Sequence, residues 1–490
     1  MGRRLQLCLL IVAFSLSGFA LIAVSASGGQ NSPAPQPSPP QGGQNSPAPQ
    51  PSPPQAPAVL GGKANKGITY YVRQTVGDDA NDGKSAKTAW QSISKLSAAM
   101  HAGDTAYIGP GLYRDKIMVL NEGAPNARIT FIADTTGQHT GDPPGVVMIT
   151  GADAVDESIF VRQSAPGVYK AKLSPTVLGL TEMDGPQYRY NRVTQTKEYL
   201  VDKMPAVDVV AKYPSSWYYD EEAQVLYMHT TDGRPPATHE IEIIRRLAGI
   251  STLEGKRYLT VIGFTFRHMG DSGIYFYKES GDGIAINNTS YGSRQGIRVY
   301  NSTHITVYGN TLFRNENSGT YFVQHSTNGL FIGNIAYENI KGVRWGSQSV
   351  NGVAIDNTLF DNLEAGLSVE DVYRAILRRN KLINNKDTQL SVQLDSDYDS
   401  DDNCFQNGAE RQSVAHSSNV SFFDRQKTLA EYQKVKSEDL HSREGGCGPL
   451  PEKIDVVKLH AETMAYTERA RKILKEAASS QSQERKPKDK

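Results

Sequence analysis

Tyrosine and arginine alternate at one position of five similar segments in this sequence. The segments are GIYFY from Gly273, GIRVY from Gly296, GTYFV from Gly319, GVRWG from Gly342 and GLSVE from Gly366. Their third residues are Tyr275, Arg298, Tyr321, Arg344 and Ser368. Tyrosine rings offer flat apolar faces to sugar rings, and arginine offers a two-pronged donor to a carboxylate. If these side chains lie in one line, they predict a groove for a sugar chain, including one that carries uronic acids.

Further polar side chains accompany this line at the fifth position of three segments, Tyr277, Tyr300 and Glu370, and in the turn that follows. The candidate substrate-binding residues are Tyr275, Tyr277, Tyr300 and Gln324. The candidate catalytic residues are Arg298, Tyr321, His325, Arg344, Glu370 and Asp371. Two simpler interpretations stay open, because Tyr and Arg also stack on ordinary solvent-facing sheets and a single His in a turn is often only a surface residue.

Cleavage of a uronate by β-elimination needs three kinds of group. A cation must neutralise the carboxylate, a base must take the C5 proton and an acid must serve the leaving oxygen. Arg298 and Arg344 are the candidate neutralising groups, His325 is the candidate base and Tyr321 is the candidate acid.

A neutral sugar chain would instead require two carboxylates that flank the bond to be hydrolysed. The available acids are Glu370 or Asp371 on one side and Glu279 or Asp395 on the other. A protein with the same groove and no catalysis is the third alternative.

An alternating run of acidic residues raises the question of calcium, which prefers several oxygen ligands. The candidate ligands are Asp397, Asp399 and Asp401, with Asp395 and Asp402 beside them. The run lacks the glycine and glutamate of a helix–loop–helix calcium loop, because Ser400 and Gln406 stand at those positions. A structural turn is therefore the favoured interpretation, and no cofactor is assigned.

The five segments must be positioned by a repeating fold, since their starts lie 23, 23, 23 and 24 residues apart. A fixed period in the twenties is typical of a solenoid, in which each repeat buries its apolar face against its neighbours. The second and fourth residues of each segment are mostly apolar, which predicts strands with those residues inward and the third and fifth outward.

Asparagine recurs after two further short apolar runs in each repeat. The first column is Asn310, Asn334, Asn357 and Asn380, and the second is Asn315, Asn339, Asn362 and Asn385. Asparagine tolerates the left-handed conformation of a sharp corner, and stacked amides can bond along the column. Three short strands per turn with asparagine ladders predict an all-β parallel β-helix, since the leucine columns of a leucine-rich repeat are missing.

The rest of the chain divides into segments of different character. Residues 1–26 have the basic start, apolar run and small-residue end of a signal peptide, which predicts a secreted or cell-surface protein. Residues 27–66 form a Pro-rich linker in which residues 28–41 are repeated as 42–55. If the apolar run is retained, it would anchor the chain in a membrane.

The folded part is expected to have four regions. Residues 67–151 are the N-terminal cap, with a helix over Trp90–Met100, and the first coils; residues 152–250 are a β-rich insertion with a hairpin near Trp217. Residues 251–425 are the main coils, and residues 426–490 are a C-terminal extension with a helix over 454–478. The order YYV, GDDANDG, AWQSI and AGDTAYIGPGLYRD resembles the N-terminal end of secreted right-handed parallel β-helix proteins of the pectate-lyase-like group, and the repeats resemble that group's coils.

This resemblance implies a right-handed single-stranded β-helix and a polysaccharide as the partner, with the reaction left open among lyase, glycosidase and binding protein. Lys and Arg together number 52, as do Asp and Glu, so the composition does not predict a nucleic-acid partner. We expect a monomer. Cys8 lies within the signal segment, so Cys404 and Cys447 are expected to form one disulfide in an exported chain.

Overall fold

The chain winds into a parallel β-helix with three sheets, as the repeats predict. The computed structural model describes residues 67–173, 177–183, 191–192, 206–393, 396–407, 415–418, 425–426 and 428–484. The predicted signal peptide, the Pro-rich linker and the last six residues lie outside the described residues. Each coil contributes one strand to each sheet, and nearly all pairings within the three sheets are parallel.

The sheet that carries the five segments has the longest strands, and we call it the long-strand sheet. Its strands are Ile117–Val119, Ala248–Thr252, Ser272–Tyr277, Gln295–Tyr300, Ser318–Val323, Lys341–Val350, Ala365–Tyr373, Thr388–Gln393, Ala415–Ser418 and Arg425–Gln426. The second sheet contains Thr69–Val72, Thr105–Ile108, Ile129–Ala133, Leu259–Ile262, Ile284–Ile286, Thr306–Tyr308, Leu330–Ile332, Val353–Ile355, Ala375–Arg378 and Tyr398–Asp401. The third contains Gly111–Tyr113, Val147–Thr150, Thr265–Arg267, Thr289–Tyr291, Thr311–Phe313, Ile335–Tyr337, Thr358–Phe360, Lys381–Ile383, Cys404–Gln406 and Arg443–Glu444.

The core is the lumen of these coils. The predicted inward residues of the five segments are buried, from Ile274 and Phe276 in the first to Leu367 and Val369 in the last. Their cross-strand register follows the repeats, since Ile274 pairs with Ile297 and Ile297 with Thr320. The inward half of the alternation is therefore confirmed, whereas Tyr275, Ser368 and Glu370 of the outward half are buried as well.

Two asparagine ladders hold successive coils together at the corners. In the first, Asn334 donates its amide to Asn357 at 3.1 Å, and Asn357 donates to Asn380 at 2.9 Å. The second runs through Asn315, Asn339, Asn362 and Asn385 and ends on Gln389. The first ladder ends at Asn403, which donates to the buried Asp439. Each amide also satisfies backbone groups, so the ladders replace water inside the corners.

Both ends of the lumen are closed. At the N-terminal end, Ile93, Leu96 and Met100 are buried as predicted, but the helix is shorter than residues 90–100. Trp90 forms a β-bridge with Val72, and the Asp79 carboxylate accepts the backbone N–H groups of Gln91 and Ser92. The chain therefore becomes helical only at the 3-10 turn Ile93–Lys95, and α1 spans only Leu96–Ala99. At the other end, α3 (Leu429–Lys436) closes the lumen through its buried residues Leu429 and Tyr432.

The insertion has its own small core, which includes Trp217, Leu226 and Met228. Its hairpin is formed by Ser216–Asp220 and Val225–His229, as predicted. The other elements are strands Val161–Arg162, Val168–Lys172, Asn191–Arg192, Ala152–Ala154, Gly179–Glu182 and Ile241–Ile244, helix α2 (Ala206–Lys212) and 3-10 turns Glu157–Ile159 and Pro236–Thr238; a further turn, Ala86–Thr88, lies in the cap. The β-helix resumes at Ala248, because Ala248–Thr252 already pairs with the long-strand sheet.

The C-terminal extension runs back along the third sheet. An outward stack of Tyr291, Phe313, Tyr337 and Phe360 packs in one cluster with Val456 at the start of α4 (Val456–Glu484). Further along α4, the Tyr466 hydroxyl donates to the carbonyl of Pro143 near the N-terminal coils. The predicted helix is therefore present and longer than expected. Within the described residues, no helix is long and apolar enough to cross a membrane.

The first ladder gives a direct test of what holds the coils in register. We expect Asn357→Ala to lower the free energy of unfolding by about 3 kcal/mol, because it strands the buried Asn334 amide and the Phe331 carbonyl. Denaturant unfolding of both proteins measures the loss. Asn351→Ala removes a half-buried amide stacked on Asn328 and should cost less than about 1 kcal/mol. Equal losses in the two variants would contradict a special role for the ladder.

A disulfide joins Cys404 in the third sheet to Cys447 in the extension, 43 residues later. We expect the double variant Cys404→Ser/Cys447→Ser to lose about 3 kcal/mol, because the crosslink restricts the unfolded chain. A reductant should lower the unfolding midpoint of the wild type and leave that of the double variant unchanged. If the unfolding midpoint of the wild type is the same with and without reductant, the disulfide does not stabilise the fold.

Candidate functional site

The predicted line runs along the outer side of the long-strand sheet, one side chain per coil, but it is less exposed than predicted, because Tyr275 is only 8% exposed and Ser368 is fully buried. Tyr275 pairs with Arg298, Arg298 with Tyr321, and Tyr321 with Arg344. Arg344 in turn pairs with Ser368. Since parallel strands lie about 4.8 Å apart, residues 23 positions apart in sequence become direct neighbours.

The tyrosine rings do not form the open platforms that the sequence suggests. The Arg298 guanidinium lies over Tyr275, 5.0 Å from the ring centre, and that of Arg344 lies 4.9 Å from the centre of Tyr321. Tyr277 and Tyr300 stack on each other with centres 5.8 Å apart. One face of each ring is covered by a side chain of the neighbouring coil, so a ligand would contact mainly the ring edges and hydroxyl groups.

The upstream part of this face contains a buried ion pair that the sequence did not indicate. Arg298 donates to Asp271 at 2.5 Å, and the two side chains are 18% and 11% exposed. Burial alone would lower the pKa of Arg298, but Asp271 outweighs it and raises the pKa above its ordinary value. Burial also raises the pKa of Tyr275 well above that of a free tyrosine, so its hydroxyl stays protonated.

The downstream part is centred on Glu370. This carboxylate accepts from Lys341 at 2.7 Å, from Arg344 at 2.8 Å and from the hydroxyl of Ser368 at 2.7 Å. Burial raises the pKa of Glu370, yet Lys341 and Arg344 together hold it below its ordinary value. Glu370 is therefore ionised at neutral pH and is poorly suited to act as a general acid.

The remaining predicted residues lie in the turn beyond the sheet. Gln324 and His325 are exposed, with φ of 57° and 59°, and Asp371 accepts the Tyr373 hydroxyl at 3.2 Å. His325 lies two residues beyond the end of the strand Ser318–Val323, which carries Tyr321.

The proposed carboxylate pair is not formed by Glu279. Tyr277 lies two residues before Glu279. Its cross-strand neighbours on the next four coils are Tyr300, Val323, Gly346 and finally Glu370. Four coils correspond to about 19 Å, whereas paired glycosidase carboxylates lie roughly 5–10 Å apart. Glu279 is therefore excluded as the partner of Glu370, and Asp395 lies outside the described residues.

The acidic run does not converge on a cation site. The Asp399 carboxylate contacts Arg378 at 2.5 Å, Asp401 accepts from His441 at 2.7 Å, and Asp397 is exposed. In the part of the chain that the structure describes, no three acidic, His or Cys side chains are arranged to hold a metal ion. Asp399 and Asp401 lie within Tyr398–Asp401, the last strand of the second sheet, so this part of the run is a strand and not the turn that the sequence favoured.

Sequence reasoning missed two members of the face, Asp271 and Lys341. Lys341 belongs to the column of residues that stand just before the glycines, in which Ser272 pairs with Gln295, Gln295 with Ser318 and Ser318 with Lys341; the first three are buried. The glycine after each of these residues breaks the two-residue alternation, since a Cβ on Gly319 would meet Ala336 and Leu312 of the third sheet. The repeated polar residue before each glycine was the available signal.

A family model matches the main coils of the chain. Residues 248–408 match the model described as a right handed beta helix region. Together with the three parallel sheets, this match identifies the fold as a right-handed parallel β-helix, as the coil motifs indicated. None of the curated proteins compared by sequence matches the chain.

Solved structures with this fold include several proteins of distant sequence. The complex of XylC with xylose has 16% identity and a TM-score of 0.54, covering 72% of this chain and 67% of that one. A glycoside hydrolase has 8% identity and a TM-score of 0.49, covering 80% and 98%. Pectate lyase Pel9A has 14% identity and a TM-score of 0.41, covering 74% and 79%. At 16% identity the likeness to XylC supports the fold and leaves the activity open.

The Arg298–Asp271 pair makes a prediction about stability. Arg298→Ala should lower the free energy of unfolding by about 3 kcal/mol, because it leaves the Asp271 carboxylate buried without a cation. Removing both side chains in Asp271→Ala/Arg298→Ala should recover part of that loss in denaturant unfolding. The exposed pair of Arg379 and Asp356 is the control, and Arg379→Ala should cost less than about 1 kcal/mol. A double variant less stable than Arg298→Ala would contradict this account.

Proposed function

We propose that this protein binds an acidic polysaccharide along the outward face of the long-strand sheet. The observation that carries the proposal is the in-register line from Tyr275 to Arg344, which repeats polar contacts at one coil spacing. A linear polymer is the ligand that can use such a repeat, because its own units recur along one direction. XylC, which has a similar fold, was solved in complex with xylose, so saccharides are the first class of ligand to test.

The charges on this face favour a ligand that carries carboxylates. Three cations, Arg298, Lys341 and Arg344, stand against three carboxylates, Asp271, Glu370 and Glu364. The longest of these contacts joins the Lys341 ammonium group to Glu364 at 3.7 Å, and the Glu364 side chain is 54% exposed. A uronate can join this network by exchanging with Glu364, which stays solvated.

β-Elimination is the reaction whose required groups, a cation, a base and an acid, can be assigned to side chains of this face and the adjoining turn. Lys341 and Arg344 would neutralise the uronate carboxylate, and a base would take the C5 proton. The electron pair of that C–H bond forms the C4–C5 double bond as the glycosidic oxygen leaves with a proton from an acid. His325 and Tyr321 are our assignments for base and acid. Hydrolysis is the weaker candidate, because Glu370 is held ionised and Glu279 is four coils away.

The test is a panel of polymers incubated with the purified full-length chain. Polygalacturonate, alginate and glucuronoxylan are the acidic members, and unsubstituted xylan and galactan are the neutral controls. Ultraviolet absorbance of unsaturated uronates would support β-elimination, and new reducing ends without that absorbance would support hydrolysis. Retention on a polymer without products would leave a binding protein. Failure to bind any acidic polymer would overturn the proposal.

We expect Lys341→Gln to weaken binding to the retained acidic polymer about tenfold or more, because it removes one of the two cations that we propose to neutralise the uronate carboxylate. Affinity electrophoresis at two salt concentrations measures the loss and its ionic part. Arg379→Gln, on an exposed corner paired with Asp356, is the matched control and should bind as the wild type does. Equal affinity of Lys341→Gln and wild type would place the polymer elsewhere.

A further inference from the structure

An open cleft of about 490 Å³ lies where the N-terminal cap, the first coil and α4 meet. Its lining comes from three distant parts of the chain, within residues 74–92, 112–115 and 463–467. Sites for small molecules are clefts of roughly 300–1,000 Å³, so this cleft has the size of a binding site. It is separate from the proposed polymer-binding face, because none of its lining residues belongs to the long-strand sheet.

The walls of the cleft are held by contacts between these parts of the chain. The Gln74 amide bonds the edge of the third sheet, since its Nε2 donates to the Leu112 carbonyl at 2.5 Å and its Oε1 accepts the Leu112 N–H at 3.3 Å. The Thr467 hydroxyl of α4 donates to the same Oε1 at 3.2 Å. A ligand therefore meets a preformed site and loses little free energy in ordering its walls.

Arg114 is the hydrogen-bond donor of the cleft. Its Nη1 donates to the Ala152 carbonyl at 2.6 Å, and its Nη2 donates to the buried Glu242 at 2.8 Å. A guanidinium has five N–H groups, so Nε and one hydrogen on each terminal nitrogen are not used by any described residue. The side chain is 26% exposed, and Nε is not among the buried unpartnered atoms of the described residues. A ligand in the cleft can therefore reach these donors.

Two acceptors lie in the same lining. The Asp115 carboxylate accepts the backbone N–H groups of Ser94 at 3.0 Å and Lys116 at 2.8 Å, one on each oxygen. Each of these oxygens can accept a further hydrogen bond. The Gln91 side chain is exposed and donates from Nε2 to the Gln74 carbonyl at 3.3 Å, while its Oε1 has no partner among the described residues.

The cleft also has an apolar part and no net charge. Leu112 and Met464 contribute apolar surface, and Met464 is 45% exposed although it lies in the lining. The charged residues of the lining are one cation, Arg114, and one carboxylate, Asp115. Donors, acceptors and apolar surface are therefore combined without a charge that would attract an ion.

We propose that this cleft binds an uncharged sugar unit, with Arg114 as donor, Asp115 and Gln91 as acceptors and Met464 as the apolar contact. A sugar hydroxyl both donates and accepts, so neighbouring hydroxyls pair with a guanidinium and a carboxylate at once. The C–H groups of the ring pack against the apolar part. This site is additional to the proposed function and does not depend on it.

An acidic sugar fits the cleft less well than an uncharged one. Arg114 is already paired with Glu242, so a ligand carboxylate finds no unpaired cation to neutralise. It would also lie beside Asp115 with no proton to donate. Selectivity for uncharged sugars follows from this arrangement.

The test is a titration of the purified full-length chain with monosaccharides, followed by saturation-transfer NMR. Glucose and galactose are the uncharged probes, and glucuronate and galacturonate differ from them only by a carboxylate at C6. We expect both uncharged sugars to bind about threefold or more tightly than their uronates. Failure of both uncharged sugars to bind, or tighter binding of the uronates in the cleft, would overturn the inference.

Met464→Arg locates the binding. The longer side chain fills part of the cleft and brings a second cation to Asp115, so the affinity for glucose and galactose should fall about tenfold or more. Val457→Arg is the matched control, because Val457 is 63% exposed on the same helix and lies outside the lining. It should bind both sugars as the wild type does. Unchanged sugar affinity in Met464→Arg would place the sugar elsewhere and overturn the inference.

Gln91→Met is the second variant, because it removes one proposed acceptor from an exposed position. The affinity for glucose and galactose should fall about threefold, as expected for one lost hydrogen bond, and the denaturant midpoint should stay nearly unchanged. Gln138→Met is the control, since Gln138 is exposed and does not line the cleft. Equal affinities of the two variants would remove Gln91 from the site.

The outcomes for this site and for the polymer-binding face can be told apart. Met464→Arg should retain the acidic polymer as the wild type does, and Lys341→Gln should bind glucose unchanged. A chain that binds glucose in the cleft and retains no acidic polymer overturns the proposed function alone. Loss of polymer retention in Met464→Arg but not in Val457→Arg would make the cleft part of the polymer site and overturn the separate site.

Discussion

Hydrogen bonding between successive coils is the constraint on which the rest of this structure depends. The backbone ladders of the three sheets fix the spacing, and the two asparagine columns fix the register at the corners. A slip of one residue would turn Ile274 and its equivalents from the lumen to the solvent, so register and core packing enforce each other. The caps at both ends then protect the exposed strand edges and the apolar lumen from water.

The same stacking both creates and limits the candidate site. It places Tyr275, Arg298, Tyr321 and Arg344 in one line, which their separation in the chain alone would not do. It also brings each ring against the guanidinium of the next coil, which occupies the surface that a sugar would otherwise use. The side chains of the face are therefore pre-organised by their neighbours, and a ligand loses little freedom in ordering them.

Much of this fold could be predicted from the sequence, because each coil of a solenoid repeats the same pattern of residues at a fixed spacing. The inward columns, both asparagine ladders and the hairpin at Trp217 followed from local patterns. The cap helix was overestimated because Asp79 and Val72 hold residues around Trp90 in extended form, and these contacts cross the turn. The site was harder for the same reason. Asp271 lies outside the aligned segments, and Lys341 faces outward only because Gly342 breaks the alternation.

The pairing of every arginine on the face has a consequence for selectivity. A ligand carboxylate that approaches Arg344 must compete with Glu370, which is held by Lys341 and Ser368 as well. Such competition lowers the binding free energy that a carboxylate gains from its charge alone. Selectivity then depends on geometry, because only a carboxylate that also contacts Lys341 replaces the interactions that it displaces. Upstream, Asp271 cancels the charge of Arg298. A carboxylate is therefore expected to gain most at the downstream end of the face, where Lys341 can release its longer contact to the solvated Glu364.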